Sequence, residues 1–480
     1  MLTPAEEVGL AGQRLTQRVQ RALDAITQPE MIRLLDDIQA LATERHLAYQ
    51  RDGVTETIRL FPRPITLRQD QLGYLHHVTH TLLNATKRMV DLYFGDLDVR
   101  KILRVTAEEE RWLLDCWTSA HREANPIFSR LDAVVDFSSP RWKDTLQFVE
   151  PNLTGVGGVH LAPTCDRVLA DLVVPVLRER DHRIRLQLGA DIRELLLQDL
   201  LEHLEAVGRP DGTIVLVDPK YEKDGPDEPE ALARYFAERH GIEVLHADPA
   251  ELRLKGGEVW YGDHRVDVAY RDYGILDLID LAAEGVDVEP MRRLFAENRM
   301  VSSIAAELDQ KSIWEVLTDP EITGRYFSPE ERLVFRRHLP WTRILSDRCT
   351  KDANGERIDL ADYARIHRET LVLKPNRSYG GEGVAVGASL DQTTWELLLD
   401  TALADEQRWV VQTKVALPVQ EYPVVGPDGR VHLEPFYVVM GFVPSRYGVG
   451  LVARASQQQV VNVAQHGGEC GVMVSASAVG

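Results

Sequence analysis

The sequence predicts an α+β fold, and three observations carry that prediction. Helical periodicity fills the first third, strand and helix signals alternate through the middle, and the stretch from residue 371 onward is mostly strand. At 480 residues the chain is long enough for two or three domains, each with its own core. Thr3-Pro4-Ala5-Glu6 reads as a capping box with proline at the first helical position, and Leu15, Val19, Leu23 and Ile26 then recur on one face. Thr66 with Gln69, and Thr106 with Glu109, repeat the signature ahead of two more amphipathic stretches. From Arg130 the pattern changes. "RLDAVVDF" and "DTLQFVEPN", separated by the turn-forming "SSPRWK", predict a hairpin.

Strands are expected at "TIVLVD" (213–218), "IEVLHAD" and "VDVAYRDYG" (266–274), with a helix over 228–241 closed by Gly241. That alternation predicts a small parallel sheet. Helices return from about residue 290, one of them opened by the box Ser328-Pro329-Glu330-Glu331. The remaining strands are "LVLKPNRSYGGEGVAVG" (371–387), "RWVVQTKVALP", "EPFYVVMGFV" and "VGLVARAS". No internal repeat or low-complexity segment interrupts them.

Composition excludes several function classes. With 44% hydrophobic and 27% charged residues the chain reads as an ordinary globular protein. A net charge of −20 argues against a life on nucleic acid, though not against a local basic pocket for a nucleotide. The four cysteines (Cys116, Cys165, Cys349, Cys470) form no CxxC pair and no zinc spacing, which suits free thiols in a reducing cytoplasm. "MLTPAEEVGLAG" has no apolar signal-peptide core, and no run of 18 apolar residues occurs, so neither secretion nor a membrane span is expected.

The chemistry concentrates in the 371–387 stretch. A Walker A loop places its lysine after the glycines and opens a helix. Here Lys374 comes first, and Gly380, Gly381, Gly383 and Gly387 lead instead into a second strand, Val384-Ala385-Val386. Such a turn is a flexible phosphate lid, its glycines letting backbone N–H groups approach phosphate oxygens while Lys374 supplies a point charge.

This order of lysine and lid resembles the ATP-grasp ligases. The resemblance implies an adenine-holding linker in "WVVQTKVALP", with Gln412 and the backbone of Thr413 to Val415 at the adenine edge, and lid contacts from Ser378, Gly380, Gly381 and Gly383. It also implies a second phosphate lysine on an earlier helix, Lys311 in "ELDQKSIWEVL". The family holds magnesium on a Glu-x-Asn pair. That pair stands upstream, as Glu150-Pro151-Asn152. Strand alternation puts Glu150 and Asn152 on one face, and a hairpin turning near residue 141 sets Asp132 opposite Glu150 and Arg130 opposite Asn152. Asp132, Glu150 and Asn152 are thus the expected magnesium ligands, with Arg130 for the γ-phosphate.

Metal hairpin first and lysine lid last resembles the circularly permuted ATP-grasp family, as in the synthetase domain of glutathionylspermidine synthase, over about residues 125 to 475. The expected organisation is an N-terminal helical region (1–125), the first part of the permuted ATP-grasp with its metal hairpin (126–205), a small αβ pre-ATP-grasp-like domain (206–300), and the lid and nucleotide part (301–480). Arg454 in "LVARAS" resembles the family's late phosphate-reaching arginine, and Asn462 and "QHGG" are expected in the same cleft. No amidase-like domain with a catalytic cysteine precedes the ligase part, so the bifunctional activity is not carried over.

The implied function is an ATP- and magnesium-dependent ligase joining a small carboxylate to an amine (or thiol) through an acyl phosphate. A kinase on the same scaffold and a non-catalytic nucleotide-binding partner are the alternatives, and a homo-oligomer or partner enzyme stays open. His76 and His80 in "HHVTH" and the pair His466 and Cys470 read as structural, "DGPDEPE" (224–230) as a solvated loop, and Arg343 as a lesser candidate for lining the cleft.

Overall fold

The computed structural model describes residues 10–51, 53–221, 225, 228–378, 380–405, 409–461 and 467–476. Thr3-Pro4-Ala5-Glu6, Asn462, His466 and, in the 224–230 run, Asp224, Pro226 and Asp227 lie outside the described residues.

Helices cover both faces of the largest sheet. Its strands run in the order Leu60–Leu67, Gly468–Ser475, Gly448–Ser456, Val431–Ser445, Arg130–Val134, Gln147–Asn152, with Val419–Val425 and Leu186–Leu188 attached at its sides. Leu60–Leu67 pairs in parallel with Gly468–Ser475, and the other pairs are antiparallel. On Gly468–Ser475, Cys470 and Val472 pack with the cluster that includes the helix Gln69–Thr86, whereas Met473 packs with the helix Leu161–Arg180. Every residue of that strand is buried, so it reads as continuous rather than alternating.

The 130–152 hairpin has the expected register, Arg130 opposite Asn152 and Asp132 opposite Glu150. The pairing shifts after Asp132, and the connection holds a short helix, Trp142–Thr145, whose Trp142 is buried. The parallel sheet is also present, in the order Met300–Val301, Val268–Arg271, Ile214–Val217, Val244–Ala247. A third sheet carries the lid: Thr342–Ile344, Trp409–Thr413, Leu371–Pro375, Ala385–Val386, all antiparallel.

Several local expectations are corrected. The first third is not all helix, because it contributes the hairpin Ala48–Arg51/Val54–Thr57 and the strand Leu60–Leu67. Pro62 and Pro64 oppose a helix there. Thr66 lies in that strand, and the next helix begins at Gln69, with the Gln71 side chain accepting from Arg68 N. The boxes at Thr106/Glu109 and Ser328/Glu331 form. A meander of Leu252–Lys255, Glu258–Tyr261 and His264–Arg265 was not expected. Its first turn is Gly256-Gly257, both at positive φ, a two-residue hairpin signal. Among the described residues, no helix is long and apolar enough to cross a membrane.

Candidate active site

The hairpin and the lid, some 220 positions apart, wall one cavity of about 360 Å³. Alternation along Arg130–Val134 aims Arg130 and Asp132 into it, and Glu150 and Asn152 enter from the facing strand. Lys374 on Leu371–Pro375, Gly380 and Gly381 of the lid, the 412–415 segment and Arg454 complete the lining. Val372, Val386, Leu417 and Val439 add apolar lining.

The charged lining residues are tightly organised. Asp132 receives a bidentate pair from Arg130, at 2.7 Å from Nε and 3.0 Å from Nη2, and a third bond at 2.9 Å from Arg454 Nη2. Burial would raise the Asp132 carboxyl, but the two guanidiniums hold it below its ordinary value. Lys374 Nζ donates to Gln412 Oε1 at 2.9 Å and lies 3.5 Å from Val149 O, tying the lid strand to the hairpin. Burial lowers its pKa to about 8, with Glu150 opposing and Lys311 adding to the fall. Lys311 Nζ donates to Ser378 O at 2.8 Å and stands 3.4 Å from Glu150 Oε2.

Arg130, Asp132, Glu150, Asn152, Lys374, Gly380, Gly381, Gln412, Thr413, Val415 and Arg454 all border this cavity. Lys311, Ser378 and Gly383 do not. Lys311 also sits in a turn ahead of the helix Ile313–Thr318 rather than on a helix, because Asn376 grips that turn through Lys311 N and Ser312 N. Both lysines are buried. The Gln412 side chain is turned away from a base edge, since it bonds Lys374, Val149 O and Thr342 Oγ1. Arg343 lies outside the cavity, its guanidinium spent on Thr318, Thr350 and two carbonyls.

The donor set suits a hard cation. Glu150 offers a carboxylate whose nearest cation is Lys311. Asn152 donates its amide nitrogen to Arg130 O, which leaves its oxygen as the acceptor. Asp132 would have to exchange an arginine contact for the metal. Among the described residues no group of three or more His, Cys, Asp or Glu side chains could hold a metal ion, and the expected trio counts an asparagine as its third member.

Two buried acidic residues near Arg130, neither lining the cavity, were not among the expected site residues. Glu469 pairs across from Arg454, is buried, has one oxygen without a hydrogen-bond partner, and is pushed up to about 7 by burial. Glu228 accepts from the N–H groups of Gly158, His160 and Leu161. "GVGG" ahead of an apolar helix hints at an anion there, but nothing local points to residue 228. Cys470 is buried against the Tyr422 hydroxyl with its thiol pushed up to about 12, and His76 bonds Ser445 O, so both are structural.

No family model and no curated protein matches this chain. Among solved structures it is similar to a glutathione synthetase-like effector from Globodera pallida, determined in its apo form, with a TM-score of 0.60 and 12% identity. The match covers 94% of this chain and 98% of that one. At that identity the likeness shows the fold alone, so the chain is a mixed α/β protein that shares the overall fold of that glutathione synthetase-like effector.

Proposed function

We propose that the protein is a circularly permuted ATP-grasp ligase that joins a carboxylate to an amine (or thiol) by way of an acyl phosphate. The observation that carries this reading is the convergence of Lys374 with Arg130, Asp132, Glu150, Asn152 and Arg454 on one cavity from distant parts of the chain. Adenine would meet the apolar lining residues, and the phosphates the cationic ones.

Lys374, Arg130 and Arg454 would stabilise charge on the transferring phosphoryl group, with Lys311 acting from behind Glu150. Glu150 and Asn152, with Asp132, would hold magnesium, which neutralises phosphate charge when bound. A carboxylate oxygen of the acid attacks the γ-phosphorus, and the bond to ADP breaks with its electron pair leaving on ADP. The amine nitrogen then attacks the acyl carbon, loses a proton and expels phosphate.

Hydroxylamine tests this directly. With ATP, magnesium and the right acid from a pool of amino acids, short peptides and dicarboxylates, the protein should release ADP, and hydroxylamine should yield the matching hydroxamate. A stable phosphoester would mark a kinase instead. ATP binding with no turnover under any acid would mark a nucleotide-binding partner protein.

A further inference from the structure

The base of the lid is held from outside the cavity. Gly380 and Gly381, at φ +68° and +74°, line the cavity within the loop between Leu371–Pro375 and Ala385–Val386. Glycine backbone has little stiffness of its own, so residues 376–378 decide where those N–H groups point. The turn at 307–312 grips all three. Asn376 O accepts from Lys311 N at 3.0 Å, and Asn376 Oδ1 accepts from Ser312 N at 2.9 Å. Ser378 O accepts from Lys311 Nζ at 2.8 Å, and Arg377 Nη2 donates to Glu307 O at 3.1 Å.

A further partner of Arg377 comes from far away in the sequence. Glu109, on the helix Ala107–Cys116 and 268 positions earlier, accepts from Arg377 Nη1 through its Oε1. Its other oxygen accepts from Thr106 N at 2.8 Å and so closes the capping box. The matching glutamate of the Ser328 box, Glu331, has a side chain 25% exposed, while that of Glu109 is 2% exposed. A cap alone gives no reason to bury a carboxylate, but a guanidinium partner does. Beside this pair, Gln310 Nε2 donates to Arg104 O at 3.1 Å, a second tie between the same two parts of the chain.

We propose that Glu109 and Arg377 are positioning residues that set the affinity for the triphosphate by fixing the base of the lid. This rests on the ligase reading for the ligand, and on the contacts above for the clamp. With the pair broken, the lid spreads over more arrangements, and apparent affinity falls with the fraction that stays competent. The part of the chain ahead of the hairpin thereby takes part in binding, although among the described residues none of it lines the cavity.

Variants of the full chain test this. Glu109→Gln keeps an oxygen for Thr106 N and withdraws the charge. Arg377→Gln removes the guanidinium at a partly exposed side chain, a change that spares the fold. Thr106→Ala takes the hydroxyl from the same cap without touching Arg377. Hydrogen exchange at the Lys311 and Ser312 amides, both bonded to Asn376, reads the clamp without any ligand. It should quicken at least about fivefold in the two charge variants, and less than about twofold in Thr106→Ala. Calorimetric titration with magnesium and the unreactive analogue β,γ-imido-ATP should show affinity at least about fivefold weaker in each charge variant. The double variant should be no more than about twofold weaker than either, since both changes break one contact.

Wild-type exchange or wild-type affinity in either charge variant overturns the proposal. So does a Thr106→Ala protein that binds as weakly as Glu109→Gln, or a double variant whose losses multiply. A wild-type protein that binds no analogue, with exchange quickened in the charge variants as expected, would remove the nucleotide reading and leave the clamp standing.

Discussion

Replacing Lys374 by methionine separates the two things this side chain does. In the free protein its ammonium is buried, and its pKa falls from 10.5 to about 8, chiefly through desolvation. Holding the charged form there at pH 7 costs about 3 kcal/mol, at ~1.4 kcal/mol for each pH unit. Methionine removes that cost but leaves the buried Gln412 Oε1 without its donor, a loss of about 1–3 kcal/mol. The two effects offset, so Lys374→Met should change the unfolding free energy by less than about 2 kcal/mol at pH 7. ATP turnover should nevertheless fall about a hundredfold, roughly 3 kcal/mol of lost phosphate stabilisation. A pH signature distinguishes the cause. The unfolded chain keeps this proton up to about 10.5 and the folded chain only to about 8, so across that window the unfolded state binds more protons and stability rises with pH. The variant should lack that rise. Urea unfolding at pH 7 and at about pH 9.5, with ADP release measured alongside, reads both effects. Wild-type turnover, or a stability loss beyond about 4 kcal/mol at pH 7, would refute the reasoning.

Other substitutions probe the remaining groups. Glu150→Gln should keep wild-type stability, since Glu150 is only partly buried, while shifting the magnesium dependence of ADP release upward. An unchanged magnesium titration would take residue 150 out of the metal site. Asp132→Asn should instead destabilise the protein by about 3–5 kcal/mol in urea, because it leaves Arg130 and Arg454 without their buried counter-charge. Gly383→Ala places a side chain at φ +71° with its Cβ 2.7 Å from Pro375 Cγ, and should raise the KM for ATP several-fold. Thermal unfolding with and without ATP will show whether that effect stays in the lid.

The hairpin was legible because its information is local. Alternation fixes the faces, "SSPRWK" fixes the turn, and together they give the Arg130/Asn152 and Asp132/Glu150 pairs. The lid was legible for a similar reason, the order of one lysine and its glycines. What stayed hidden is decided by distant partners. Lys311 looks helical in sequence, yet Asn376, 64 positions beyond Ser312, pulls its segment into a turn. Gln412 looks free to meet a base, but Val149 O and Thr342 orient it inward. Glu228 and Glu469 become notable only when folding buries them. The Gly256-Gly257 turn, by contrast, carried a readable signal that the strand-helix alternation around it masked.

The parallel pairing of Leu60–Leu67 with Gly468–Ser475 spans about 400 positions, and it has a kinetic consequence. Loop-closure entropy grows only logarithmically with length, so the native state loses little by it. The folding rate is where such topology tells, because non-local pairings must close before they contribute. Until then Leu60–Leu67, almost wholly buried in the finished sheet, exposes Leu60, Phe61 and Ile65 beside an unpaired edge. During synthesis that segment waits some 400 residues for its partner strand, which leaves its apolar edge open to misassociation meanwhile.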